Sequence, residues 1–315
     1  MSFPLLRLPL LASINVIKNI DVEDLINIIR TSRRMKNLVK SSRIYIHLNV
    51  ISNYYIEFKK LSDPWKTDRV ELSVEPSSTE IMTPFEPFVR QKSWIRNEEN
   101  LEGYRRIMDD FLDIFRVKSA DFDMRSTHSN FSIQYLDYAL SRGLKFKEVQ
   151  FFLHGEDDAD SSRKVLEAGA HATELHVVSY TENPVFDAFR GYSMDNFELT
   201  IHRKRGSFTI DHLFALANCS NVIIRYTYLS DHDLNRFMKF WISGAGNLKS
   251  LVIVIEWTED RLKINAQDVM DGIPSTEIKQ GENFEIERFD GTKALIWCQG
   301  VMFILGDIDP DSVLY

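Results

Sequence analysis

The chain has 315 residues, 44% of them hydrophobic and 12% aromatic, with a formal net charge of −8. That length and composition point to a globular protein with a large core divided into about two units. Cys219 and Cys298 are the only cysteines and lie far apart, which argues against a disulfide framework and for a reducing compartment. No apolar run approaches the roughly 18 residues of a membrane span. The apolar stretch from Leu5 to Ile17 is interrupted by Arg7 with no basic stretch before it, against a signal peptide. The expected location is cytoplasmic, nuclear or both, with no membrane partner.

Residues 1–43 read as three short helices. Pro9 suits a first helical position, so a helix runs from there to Lys18 with Leu10, Ile14 and Ile17 at helical spacing. Asp21 offers a side-chain acceptor to cap the second helix and Asp24 adds a carboxylate to its first turn, with Val22, Leu25, Ile26, Ile28 and Ile29 as its apolar residues. Ser32 is placed to cap the third, which carries Met35, Leu38 and Val39 on one side and Arg33, Arg34, Lys36 and Lys40 on the other. Each helix is shorter than a stable isolated one. The trio therefore needs a cover for its remaining apolar face, either the rest of the chain or another protein. Residues 1–43 carry a net +5 and the remainder a net −13, an asymmetry that points to an acidic partner for the N-terminus. Nucleic acid is the poorer reading, because the rest of the chain repels phosphates and the basic run is one helix long.

Leu8-Pro9, Ile17, Ile20, Val22-Glu23-Asp24-Leu25 and Ser32-Arg33-Arg34-Met35 follow one another in an order that resembles the F-box, the helical motif by which substrate receptors dock on the Skp adaptor of SCF ubiquitin ligases. Met35 stands where that family usually has Trp or Phe, and Ala12-Ser13 where an acidic residue often follows the Leu-Pro. The resemblance implies an acidic Skp-type adaptor, and through it a cullin, as partner. The residues it assigns to that contact are Leu8, Pro9, Leu10, Leu11, Ile14, Ile17, Ile20, Val22, Leu25, Ile29 and Met35.

Residues 44–116 are expected to form a β-meander, a loop and a linker helix. Ile44, Ile46, Leu48 and Val50 alternate with polar neighbours, and Tyr54 to Phe58 and Val70, Leu72 and Val74 repeat the strand period. Pro76, Pro84 and Pro87 mark the loop. Leu101, Tyr104, Met108, Phe111, Leu112 and Phe115 then give an amphipathic helix from Glu98 to Arg116.

Residues 117–257 contain an internal repeat of three apolar positions: Val117/Ala120/Phe122, Phe146/Val149/Phe151, Ala172/Leu175/Val177, Met194/Phe197/Leu199, Cys219/Val222/Ile224 and Leu248/Leu251/Ile253. The last positions step by 29, 26, 22, 25 and 29 residues, on or close to the leucine-rich-repeat range. Helix-like stretches intervene at Phe131 to Ser141, Ser161 to Gly169, Pro184 to Arg190, Phe208 to Ala217 and Asp231 to Ile242, the last with Asp231 as its cap. A strand-helix unit cannot cover its own apolar face, so stacked neighbours share a core. The Asn or Cys that normally closes the leucine-rich motif is missing, so the array is irregular and leucine-rich-repeat-like; an ordinary α/β domain is the alternative. Side chains alternating with the core positions would face the concave side. They nominate Glu148, Gln150, Phe152, Glu174, His176, Val178, Glu198, Thr200, Ile223, Arg225, Val252 and Val254 for binding a protein substrate, with Ile223, Val252 and Val254 as an exposed apolar group.

In residues 258–315, Phe284 to Phe289, the Asp290-Gly291 turn, Lys293 to Gln299 and Val301 to Gly306 read as antiparallel strands forming a C-terminal β cap. The whole is thus α/β in class (α+β): three N-terminal helices, a strand-helix array and a β cap. Residues 229–242, 247–251 and 286–294 extend the resemblance to the nematode-expanded F-box family that carries a type 2 F-box-associated domain. That resemblance implies a substrate receptor.

Catalytic signatures are absent from the sequence. His154-Gly155-Glu156-Asp157-Asp158-Ala159-Asp160 lacks the spacing and terminal Glu of a calcium loop and reads as a solvated loop whose Asp160 or Ser161 caps the next helix. His171 and His176 sit five apart in a strand-like stretch, which places them on opposite faces rather than in a metal pair. No glycine-rich phosphate loop or nucleophile elbow occurs. Cys219 and Cys298 fall in predicted strands and read as packing residues. No catalytic residue, metal or cofactor is expected; a repeat-like scaffold without a ligase role and an enzyme with a dispersed site are the rival functions.

Overall fold

The structure, a computed structural model, describes residues 8–51, 55–61, 63–71, 99–124, 129–153, 159–180, 191–202, 208–256, 263–279 and 281–306. It is mixed α/β and divides into two compact units, residues 1–147 and 148–315. No described helix is long and apolar enough to cross a membrane.

The first unit opens with α1 (Leu10–Asn19), α2 (Val22–Thr31) and α3 (Arg33–Ser41). Pro9 is the N-cap of α1 rather than its first residue: its ψ of 146° is extended, and its carbonyl accepts from the Ser13 N–H at 2.9 Å. Asp21 also caps by position, its carbonyl accepting from Leu25 at 2.9 Å while its carboxylate makes no capping bond. Ser32 does cap α3 with its side chain, accepting from the Met35 N–H at 3.2 Å.

Three strands follow, β1 (Tyr45–Ile51), β2 (Tyr55–Lys60) and β3 (Asp63–Glu71), then α4 (Glu99–Ile114), β4 (Arg116–Met124) and α5 (Ser129–Ser141). β1 lies parallel to β4 and antiparallel to β2, and β2 is antiparallel to β3. The meander is present, but its third strand begins at Asp63 because the chain reverses straight after β2 and pairs Lys60 with Asp63. Leu72, Val74 and the prolines of the expected loop lie outside the described residues. Ile44, Ile46, Leu48 and Val50 are all buried, as their alternation requires. From α4, Tyr104, Met108 and Phe111 face inward, and the Tyr104 ring meets Tyr135 of α5 edge-on at 4.5 Å.

The three helices are fastened to their own unit. Ile17, Leu25 and Val39 are fully buried and Met35 nearly so. The buried Lys60 donates from Nζ to the carbonyls of Lys18 and Ile20, both at 2.6 Å, placing a cation on the C-terminal end of α1 where the helix dipole favours it. Lys36 pairs with Asp110 at 3.1 Å and Asp113 at 3.3 Å, and Lys40 with Asp113, both acids belonging to α4. Part of the basic charge that pointed outward in the sequence is therefore answered within the chain. Arg33 and Arg34 stay exposed.

The second unit runs β5 (Phe146–Leu153), α6 (Ala159–Gly169), β6 (Glu174–Ser179), β7 (Asn196–Ile201), α7 (Ile210–Ala215), β8 (Asn221–Thr227), α8 (Asp231–Ile242), β9 (Ser250–Ile255), α9 (Ala266–Val269), β10 (Ser275–Lys279), β11 (Asn283–Glu287), β12 (Lys293–Gln299) and β13 (Met302–Leu305). The strands β5 to β9 pair in sequence order and in parallel; β13, β12, β11 and β10 continue antiparallel from β9. The repeat positions stand in register. Val149, Leu175, Phe197, Val222 and Leu251 form one row and Phe151, Val177, Leu199, Ile224 and Ile253 the next, all buried. Of the repeat positions only Val117 is partly exposed. The expected helix at Pro184 to Arg190 lies outside the described residues.

Ser230, not Asp231, caps α8: its hydroxyl accepts from the Asp233 N–H at 3.1 Å and Asp233 accepts in return from the Ser230 N–H at 3.0 Å. Leu234, Phe237, Met238 and Trp241 are buried on one face of α8, and the Trp241 indole donates to the Leu248 carbonyl at 3.0 Å. The C-terminal strands appear where the alternation and the Asp290-Gly291 turn place them, with Gly291 at a φ of 84°. β10 and α9 leave no periodic mark in the sequence, since one is an edge strand exposed along its length and the other a single turn.

The anchoring of α1 is testable. Lys60→Met keeps the stem but leaves two helix-end carbonyls without their ammonium, so urea denaturation should show the variant about 1–3 kcal/mol less stable than the parent. An unchanged midpoint would mean that Lys60 does not hold the helix end.

Candidate functional site

The face of β5 to β9 opposite the core rows carries the residues nominated for substrate binding. Gln150, His176, Glu198, Ile223 and Val252 pair in one row, Phe152, Val178, Thr200, Arg225 and Val254 in another, and Glu148 stands directly opposite Glu174.

This face has two halves. On β9, Val252 is wholly buried with Met302 and Ile304, and Ile223, Val254 and Trp297 pack against them. The expectation of an exposed apolar group there is overturned, because β13 pairs with β9 and sets Ile304 opposite Val252 and Met302 opposite Val254. Thr200 is also buried.

On β5 to β8 the rest of the face is half-buried and mostly polar. Gln150 donates to Glu148. His176 Nδ1 lies 3.0 Å from Glu198 Oε2, and Arg225 pairs with the other oxygen of Glu198. The bond to Glu198 holds the His176 imidazole above its ordinary pKa against the opposing effect of burial, and the same bond, with Arg225, holds the Glu198 carboxyl below its ordinary value. His171 is exposed in the turn before β6, not on the strand, so its separation from His176 has a different cause from the one expected. Glu148, Glu174 and His176 each bring one donor atom within 4.8 Å of the others.

An aromatic row borders this half at the strands' C-terminal ends. Phe152 and Tyr180 have ring centroids 6.2 Å apart, Tyr180 and His202 stack at 4.5 Å with 7° between planes, and Tyr226 follows 5.4 Å from His202. Tyr180 and His202 extend the period-two pattern of β6 and β7 by one step, and their N–H groups continue the ladder to Leu153 and Ser179. Tyr226 breaks parity. Its φ of 63° lies at a register shift between Arg225 and Thr227, and this bulge turns to the polar face a ring that strict alternation would send to the core.

A second exposed surface lies on the N-terminal helices. Leu10 is 61% and Leu11 77% exposed, and Pro9 is exposed beside them. Leu8 and Leu10 line, with Ser13, Arg34, Asn37 and Leu38, an open cavity of about 410 Å³. Leu8, Ile14, Ile20 and Ile29 are half-buried, Ile17, Leu25 and Met35 are buried, and Val22 starts α2. The residues nominated for adaptor contact thus divide into a few that present apolar surface and several that hold the helices from within.

Both cysteines are buried free thiols, which burial pushes up to about 11 for Cys219 and about 12 for Cys298. Residues 154–158 of the acidic stretch lie outside the described residues. Asp160 sits inside the first turn of α6, with Arg163 at 3.4 Å and Lys164 at 3.5 Å, rather than capping it.

Residues 5–47 match the F-box domain family, and residues 188–253 match the family described as F-box associated, a span from just before β7 into β9. The chain is also 24% identical over 231 residues to the Skn-1 dependent zygotic transcript 15 protein of Caenorhabditis elegans, covering 68% of this chain and 65% of that protein. The alignment therefore spans just under two thirds of that relative. No solved structure matches the chain.

Two measurements probe this chemistry. The His176–Glu198 contribution is present below the ordinary histidine pKa of 6.5 and lost as pH rises through the raised folded value; from the Glu198 side it is present above the ordinary 4.5 and lost as pH falls through the lowered one. An NMR titration should place the His176 midpoint above 6.5, and Glu198→Gln should lower it. A thiol reagent at pH 8 should label neither Cys219 nor Cys298 in the folded chain and both in urea.

Proposed function

We propose that this chain, which joins an F-box to an F-box-associated segment, is the substrate-recognition subunit of an SCF-type ubiquitin ligase. The observation that carries the reading is the exposed Leu10–Leu11 pair, which sits within the F-box match beside an open cavity while neighbouring apolar residues such as Ile17 and Leu25 are internally satisfied. A Skp-type adaptor, and through it a cullin, would cover those leucines. The chain has no chemistry of its own to perform in that role: holding a protein substrate beside the transfer machinery raises its effective concentration there. The in-register strands of the second unit, read as an irregular leucine-rich-repeat-like array, are the substrate-facing element. The reading places the protein in the cytoplasm, the nucleus or both.

A second reading, an interaction scaffold without a ligase role, draws on the Lys60 and Lys36 contacts that fasten the helices to their own unit as a cap would be fastened. One experiment separates the two. Purified full chain should bind a purified Skp-type adaptor at micromolar concentration or tighter, and Leu10→Asp with Leu11→Asp should weaken binding by at least about 100-fold, the loss of two buried leucines, with an unchanged melting temperature. Ile17 and Leu25 are unsuitable for that test, since a charge at either fully buried position would unfold the unit. Failure of the parent chain to bind overturns the ligase reading in favour of the scaffold.

A further inference from the structure

We infer that the polar half of the β5 to β8 face holds an extended basic segment of the recognised protein, one cation resting over Glu148 and Glu174 and a second on the aromatic step of Tyr180, His202 and Tyr226. This names a substrate class within the ligase reading and rests on it.

The charge argument comes first. Glu148 and Glu174 stand directly opposite one another on adjacent strands, an arrangement that like charges disfavour. Glu198, one strand further, is answered by His176 and Arg225. Glu148 has only the neutral amide of Gln150 as its hydrogen-bond donor among the described residues, and Glu174 takes part in no ion pair among them. His176 lies within 4.8 Å of both but is already bonded to Glu198 at 3.0 Å, so three half-buried carboxylates share two basic groups, His176 and Arg225, and the cluster leaves a place for an external cation.

The aromatic argument is independent of it. Tyr180 and His202 stack nearly parallel, and Tyr226 is brought beside them by a left-handed residue at a bulge. A non-glycine residue held at positive φ costs stability, and bulges serve to re-aim side chains. Here the gain is a continuous aromatic surface, of which His202 and Tyr226 are exposed. Such faces attract guanidinium and ammonium groups.

The two features lie at opposite ends of one strand. Glu174 and Tyr180 are six positions apart along β6, about 20 Å of extended chain. A bound segment running with the strands would therefore place its basic residues about six positions apart.

Fluorescence anisotropy on the full chain tests this, with labelled twelve-residue peptides carrying two arginines six positions apart. Replacing both arginines by glutamine should weaken binding at least tenfold, and replacing them by glutamate should abolish it. Glu148→Gln with Glu174→Gln should also weaken binding at least tenfold and flatten its salt dependence, and Tyr226→Ala should do so only for peptides that retain the second arginine. Equal binding of the glutamate peptide, or parent-like binding by these variants, overturns the inference. Zinc chloride binding tightly to the Glu148 and Glu174 carboxylates and displacing the peptide also overturns it, since the site would then be a metal's. Adaptor capture on the same samples keeps the two proposals apart. Adaptor binding without peptide binding removes only the basic-segment inference; peptide binding without adaptor binding removes the ligase reading.

Discussion

Parallel pairing in register across β5 to β9 is the constraint on which the second unit depends. Side chains alternate with period two, so a slip of one residue in any strand would bring Glu198 or His176 into the core and expel Leu199 or Val177. The cost of burying unpaired charge keeps each strand in place. The same register assembles the polar face without further instruction: once the rows of Leu175 and Val177 are buried, Glu174, His176 and Val178 stand together on the other side. Core and candidate site are two consequences of one pairing.

The first unit solves a different problem. Helices of nine and ten residues do not hold themselves, and here they are held by burial of Ile17, Leu25, Met35 and Val39, by the Lys60 ammonium on the end of α1, and by ion pairs from α3 to α4. The exposed ion pairs contribute little stability individually. Lys60 matters more, because its partners are backbone carbonyls at a helix end. With those needs met inside the chain, Leu10 and Leu11 are left exposed, and the proposed adaptor contact rests on them.

Tyr226 shows where local geometry departs from the regular pattern. A β-bulge re-aims one ring and completes an aromatic row that alternation alone would leave as the Tyr180–His202 pair. The opposite holds at β9, where the apolar residues that alternate outward are covered rather than presented. β13 supplies Met302 and Ile304 on that same face, and the patch becomes a second small core. One end of the face is closed by this packing and the other stays polar.

Periodicity alone was enough to place the first two strands of the meander, α4, the repeat rows of the second unit and the C-terminal hairpin, because in each case burial of every second or every third to fourth residue leaves a mark on the order of apolar positions. The order of residues around Pro9 and Ser32 likewise carried the likeness to the F-box family. Pairing partners distant in the chain leave no such mark. The closing of the Val252 patch by β13, the capture of the α1 carbonyls by Lys60, the neutralisation of Lys36 by Asp110 and the turning of Tyr226 to the open face each join segments, or break a period, in ways no local pattern encodes. Which residues form a core row is therefore a property of the chain order; which of the remaining ones meet solvent, and which meet each other, follows only from the folded arrangement.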